Sequence, residues 1–119
     1  MKKTVYIAGA LNGMACDYIK NMHNTIIHAL KVKKEGFAVY VPGTDFLMGL
    51  VDGNFDYVDY FDNSQPFLLA CNYMFVCPGW ENSKGTRKEI ELAEACGIPV
   101  VYNDIDRLKG FRGLEECIV

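Results

Sequence analysis

Four short runs are apolar at almost every position: Thr4–Gly9 (TVYIAG), Phe37–Val41 (FAVYV), Tyr73–Pro78 (YMFVCP) and Ile98–Tyr102 (IPVVY). A strand that shows one face to water alternates apolar and polar residues, so strands without alternation are covered on both faces. Between the runs the period changes to steps of three and four. From Asp17 to Glu35, Ile19, Met22, Ile26, Ile27 and Leu30 mark one apolar face of a helix, with Asp17 as N-cap and Gly36 just past its end. A second helix, KGTRKEIELAEAC, is capped by Ser83 and stopped by Gly97. Buried strands alternating with amphipathic helices predict an α/β fold: a doubly wound parallel sheet of four to five strands with helices on both faces. Ligands in such folds bind beyond the carboxyl ends of the strands. The loops 9–17, 42–59 and 78–84 should meet there.

The remaining segments are less regular. Residues 43–58 mix periods and carry several glycines and three aspartates, which points to a functional or partly helical connection. DYFDNSQPFLLAC suggests a short helix packing Phe67, Leu68 and Ala70 or Cys71. Pro66 suits a first turn, which would start that helix near Ser64. The tail from Asn103 is polar, with Leu108, Phe111 and Leu114 available to dock.

At 119 residues the chain reads as one domain, 1–119. Its net charge of -3 gives no reason to expect a nucleic-acid polymer or an anionic membrane as partner. The five cysteines (Cys16, Cys71, Cys77, Cys96, Cys117) form no CxxC pair, and most sit among apolar residues. Buried free thiols in a reducing cytosol are expected rather than disulfides or zinc. The opening MKKTVYIAG is too short for a signal sequence or a membrane span, so a cytoplasmic protein is expected. His23 and His28 are five apart on the first helix, out of metal-binding register. GALNG is neither a G-x-G-x-x-G nor a Walker pattern, which disfavours a dinucleotide or ATP site.

The stretch CPGWENSKGTRKEIELAEACG, Cys77 to Gly97, holds the chemistry. Leu92, Ala93 and Cys96 follow Glu89 at +3, +4 and +7, and Gly85 and Thr86 precede it at -4 and -3. One helix face carries all of them, so Glu89 points inward near the helix N-terminus or snorkels to water from the stripe's edge. An inward carboxylate is expensive unless hydrogen-bonded or protonated, and the helix dipole offsets part of that cost. Ser83 and the first helical N–H groups form a potential anion or hydroxyl site, and Gly85 permits close approach to the backbone. Trp80, the only tryptophan, offers a stacking surface for a flat ligand or a lid over the sheet edge. Lys84, Arg87 and Lys88 flank the mouth; one could meet a phosphate while the others stay solvated.

Several segments together resemble the nucleoside 2-deoxyribosyltransferase-like superfamily, in particular its small phage-type and bacterial members. They are VYIAG…NG, GFAVYVP at Gly36–Pro42, DY at Asp59–Tyr60 and PGWENSKGTRKEIELAEACGIPV. The likeness runs from about residue 4 to 101, and its most specific part is W-x-x-S-x-G-x-x-x-E, Trp80 to Glu89. The resemblance implies a Rossmann-like, flavodoxin-like sheet. It also implies cleavage or exchange of the N-glycosidic bond of a (deoxy)nucleoside or nucleoside 5′-monophosphate. Glu89 would be the nucleophile that forms a glycosyl-enzyme intermediate. Ser83 and Gly85 would line the sugar or phosphate subsite, and Tyr6, Gly9, Asn12 and Gly13 would hold the base or sugar. The chemistry needs no metal or organic cofactor, and a homodimer or higher oligomer is expected.

The pattern departs from that family at three places. An aspartate usually found before the third strand is Ser64 here, and one that opens the strand is Asn72. The family's GP after the first strand is Gly9-Ala10. Asp62 or Asp59 could supply the missing acid, the base could leave without strong acid help, or catalysis could be lost with nucleotide binding kept. The expected function is therefore an N-glycosidase or deoxyribosyltransferase working through Glu89 and Asp62; the alternative is a catalytically impaired protein that senses or sequesters a nucleotide.

Overall fold

The computed structural model describes residues 1–10 and 15–118, the side chains of 15, 16 and 114–118 being left aside. Four strands, β1 (Thr4–Ala8), β2 (Ala38–Tyr40), β3 (Tyr73–Val76) and β4 (Val100–Tyr102), form one all-parallel sheet in the order β2-β1-β3-β4. Five helices accompany them: α1 (Ala15–Lys34), α2 (Phe46–Asp52), α3 (Tyr57–Ala70), α4 (Lys84–Ala95) and α5 (Ile105–Ile118). Each apolar run identified in the sequence supplies one strand. None of the helices among the described residues is long and apolar enough to cross a membrane.

Strand alternation divides the core in two. Val5, Ile7, Tyr73, Phe75 and Val101 point to one face, where Ala29 and Val32 of α1 and Leu108 of α5 cover them. Tyr6, Ala8, Met74 and Val76 point to the other, under Leu68 of α3 and Ile90 and Ala93 of α4. The central strands β1 and β3 are thus covered on both faces, which is why they are almost wholly apolar, while the edge strands β2 and β4 are only partly covered. α1 and α4 end at Gly36 and Gly97, both at positive φ, as their sequences predict. The tail is a helix: Leu108 is buried and Phe111 stacks on Tyr73 at 5.9 Å. Leu114 lies outside the described side chains.

Three helix readings need correction. The packing face of α1 is Thr25, Ala29 and Val32, while Ile19, Ile27 and Leu30 are 60%, 40% and 48% exposed. Thr25 packs directly on Gly9, where a β-carbon would collide with it. The short Thr25 side chain lets the helix approach the end of β1, and the bulky Ile19 and Ile27 are left outside. Asp17 lies inside the first turn of α1 rather than capping it. On α4 the buried positions are Thr86, Ile90 and Ala93; Cys96 is exposed, so the apolar stripe runs one position away from the predicted one. Among the described thiols only Cys77 is buried, against the expectation for most of them; Cys71 is partly exposed.

The third correction bears on the site. The helix expected near Ser64 begins at Tyr57, a full two turns earlier. Asp56 and Asp59 form a reciprocal capping box: the Asp59 N–H donates to Asp56 Oδ1 at 3.1 Å, and the Asp56 N–H donates to Asp59 Oδ2 at 2.9 Å. Pro66 stands inside α3, and the helix continues past it. Part of the 43–58 connection is the helix α2.

Candidate functional site

The early start of α3 creates a stripe that the sequence reading lacked. Tyr57, Tyr60, Phe61, Ser64 and Leu68 recur at helical steps; Leu68 enters the core, and the four before it face a pocket at the carboxyl end of β1. Opposite them stand Ser83, Gly85, Thr86 and Glu89 from the start of α4. Gly9, at the end of β1, forms the floor, and Tyr18 of α1 with Pro42 and Phe46 closes the remaining side. Tyr18 and Phe46 stack at 5.0 Å, so this side is a fixed aromatic wall. The pocket holds about 100 Å³.

The α4 entry is built by its own hydroxyls. Ser83, the N-cap, accepts the Thr86 N–H at 3.3 Å and the Thr86 hydroxyl at 3.0 Å, and both side chains are buried. Gly85 does permit a close approach, but by the protein itself. A β-carbon there would lie 3.1 Å from Tyr57 Cε2, so the Tyr57 ring rests on the first turn of α4.

Glu89 is the only carboxylate among the described residues lining the pocket. Its Oε2 is out of reach of solvent and makes no completed hydrogen bond. Burial pushes its carboxyl from the ordinary 4.5 up to about 7, and the Tyr6 hydroxyl pulls it partway back. Tyr6 Oη is likewise buried without a completed bond, yet close enough for each group to act on the other's proton. Burial first, then Glu89, holds the Tyr6 hydroxyl above the usual tyrosine range, and Ser64 opposes this. Near neutral pH the carboxyl is therefore divided between its two protonation states. In the ionised state it has an oxygen free to attack or to take a proton.

The structure brings together Glu89, Ser83, Gly85 and Gly9, with Tyr6 directly behind Glu89. Among the described residues it does not bring Asp62, Asp59 or Trp80 to this pocket. Asp62 is exposed and absent from the lining, since two residues of helix turn it away from Ser64. Asp59 is exposed and occupied in the α3 cap. Trp80 packs against Tyr102 at 5.2 Å over the sheet edge, the lid role rather than the stacking one. Asn12 and Gly13 lie outside the described residues.

The two positions at which the resemblance leads one to expect aspartate, Ser64 and Asn72, fall at very different places. Ser64 is in the pocket. Asn72 is at the amino ends of the strands, where its Oδ1 accepts the Thr4 N–H at 2.9 Å and the Thr4 hydroxyl at 3.1 Å. A carboxylate or an amide oxygen performs that tie equally.

A larger groove, about 380 Å³, lies on the α1 side of the same strand ends and is lined by Asn21, Thr25, His28, Cys77 and Gly79 among others. No carboxylate is among its described residues. His28 leans on Phe75 at 6.3 Å, and burial holds its pKa below the ordinary value. Among the described residues no three His, Cys, Asp or Glu side chains converge as a metal site would require.

The chain belongs to DUF4406, a family described as a domain of unknown function, whose model matches residues 3–102. That span runs from β1 through β4 and includes every residue that lines the pocket. No curated protein matches the sequence.

Proposed function

We propose that this domain cleaves the N-glycosidic bond of a (deoxy)nucleoside or nucleoside 5′-monophosphate through a covalent intermediate on Glu89. The likeness to nucleoside 2-deoxyribosyltransferases suggests the reaction. The observation that carries it is the Glu89 carboxylate, buried with an unbonded oxygen in an aromatic-walled pocket at the strand ends. A group that costs folding energy in this way is what a reaction centred on a developing sugar cation requires.

In the first step a Glu89 oxygen bonds to C1′ as the C1′–N bond breaks. The electron pair leaves with the base nitrogen, which gains a proton from water. In the second step water, or the nitrogen of an acceptor base, attacks C1′ and loses a proton, and the Glu89 carboxylate is regenerated. Tyr6 orients Glu89 and favours its ionised form; the aromatic walls take the flat base.

The reaction calls for no cofactor. The described free thiols of Cys71, Cys77 and Cys96 are compatible with work in the cytoplasm. Exposed Leu47, Leu50, Val51 and Val58, on the helices that wall the pocket, support a homodimer or larger assembly.

A second reading, nucleotide binding without turnover, is favoured by one observation: Ser64 leaves the pocket without a second carboxylate to protonate the base. Release of free base from a panel of deoxynucleosides and 5′-monophosphates separates the two. The enzyme reading expects release by wild type and at least a ~10³-fold loss in Glu89→Ala. Ligand binding by both proteins with release by neither would leave the binding reading.

A further inference from the structure

We infer that the groove on the α1 side of the strand ends is a second small-molecule site, which takes a flat, uncharged heterocyclic lactam held through its N–H and C=O groups by Asn24, Asn82 and His28. The inference does not depend on the reaction proposed above. In the strand order β2-β1-β3-β4 the crossovers part between β1 and β3: α1 leads to β2 on one face of the sheet, and α4 leads to β4 on the other. Such a parting opens a crevice beyond the carboxyl ends of the strands. Ala10, past β1, and Cys77, Pro78 and Gly79, past β3, line the groove there. The groove shares no described lining residue with the Glu89 pocket, yet the two adjoin at Gly9 and Ala10 and again at Ser83 and Asn82.

The α1 wall is polar where a helix has least reason to be. From Asn21, the residues Asn24, Thr25 and His28 follow at +3, +4 and +7, and all four line the groove. Asparagine and threonine compete with the backbone for hydrogen bonds and favour helix caps over interiors. Thr25 is tied back within the helix: its hydroxyl donates to the Asn21 carbonyl at 2.9 Å, and its side chain packs on Gly9 as floor. Asn24 stands mid-helix without such a tie. Among the described residues, neither Asn24 nor Asn82 across the groove commits its carboxamide to another protein group. A residue that disfavours its own helix and gains no internal bond in return marks a functional position.

The chemistry of these groups selects the ligand. Each carboxamide offers both donors and an acceptor. Neutral His28 does the same, and burial, with Lys31 nearby, holds its pKa below the ordinary value. Its ring is set by contact with Phe75 at 6.3 Å. These neutral donor–acceptor groups match a neutral molecule that carries donors and acceptors around its own edge. The adjacent N–H and C=O of a lactam pair with a carboxamide through two parallel bonds. Between the two walls, Ala10 and Gly79 bring little or no side chain, and Cys77 closes the floor with a buried thiol whose pKa burial pushes up to about 12. That floor is apolar and suits the face of a ring. The volume, about 380 Å³, is that of a small-molecule site.

The test uses uracil, a single ring with lactam N–H and C=O groups, and follows the ring-proton NMR signals of both histidines in the full chain. His28 lines the groove, and the exposed His23 is an internal control. The His28 signal should move saturably, with a midpoint of about 1 mM or tighter, while His23 stays still. N,N′-dimethyluracil keeps the ring and carbonyls but has no N–H, and should bind at least about tenfold more weakly. Asn24→Ala, at an exposed position where alanine favours the helix, should weaken uracil by at least about tenfold, and so should Asn82→Ala. Should Asn82→Ala disturb the neighbouring α4 cap, Asn24→Ala still decides. No saturable movement of His28 by about 10 mM, equal movement of both histidines, equal binding of the dimethyl analogue, or an Asn24→Ala midpoint within about twofold of wild type overturns the inference. Calorimetric binding with the His28 signal unmoved puts the ligand elsewhere and overturns it as well.

Discussion

Replacing Glu89 by Gln should make this protein more stable, and increasingly so as pH rises. Burial lifts the folded carboxyl from 4.5 to about 7, while in the unfolded chain it titrates near the ordinary value. Between those two pH values the folded state holds a proton that the unfolded state has released. Stability therefore falls as pH climbs through this window, and the loss is complete above about pH 7. At about 1.4 kcal/mol per pH unit, the span from 4.5 to about 7 amounts to about 3 kcal/mol. Glutamine keeps the shape and never ionises. Urea unfolding of wild type and Glu89→Gln, from about pH 4 to about pH 9, should show a near-constant gap at the acid end. The gap should then widen in favour of the variant by about 3 kcal/mol by about pH 8. Glutamine's own packing adds an offset that does not depend on pH, so the slope is the diagnostic. A gap that stays flat, or shrinks toward high pH, would mean the carboxylate is solvated and would remove the physical basis of the proposed mechanism.

Two further substitutions separate the site from the scaffold. Tyr6→Phe removes the hydroxyl that favours ionised Glu89, so the pH at which base release reaches half its maximum should move upward. Asn72→Ala breaks both ties from Thr4 and should cost about 1–3 kcal/mol in urea unfolding while leaving base release per folded molecule unchanged.

The sheet was legible because its apolar runs are short, rich in β-branched and aromatic residues and bounded by glycine or proline, which separates them from buried helix segments. The ends of α1 and α4 were legible from Gly36 and Gly97. The sequence left Glu89 two places, inward or at the stripe's edge toward water, and the buried face, Thr86, Ile90 and Ala93, lies one position from the stripe that suggested the first. What the sequence obscured was which face of a helix meets the sheet. For α1 the isoleucines form the more apolar stripe, yet close approach to Gly9 selects Thr25 and Ala29, and size outweighs hydrophobicity. For α3, Pro66 reads as a start signal but stands inside the helix. The Asp56-x-x-Asp59 spacing was the competing signal, and it was readable as a capping box with aspartates in both roles. Missing it hid the aromatic wall, since Tyr57, Tyr60 and Phe61 share a face with Ser64 only if the helix starts before them.

The departures at Ser64 and Asn72 look equivalent in the sequence and are not equivalent in space. Asn72 ties β3 to β1 at the end of the sheet away from the pocket, so its loss of charge leaves the chemistry untouched. Ser64 faces the pocket, and only this exchange bears on mechanism. One carboxylate cannot attack C1′ and protonate the leaving base in the same step, because attack requires the ionised form and protonation the other. Glu89 near neutral pH exists in both forms, but a single molecule has one or the other. With Ser64 opposite, the base must draw its proton from water or leave as a weakly basic anion. General acid help is worth about 10²–10⁴ in rate, so the proposed glycosidase would be slow and would select its substrate partly by how readily the base departs.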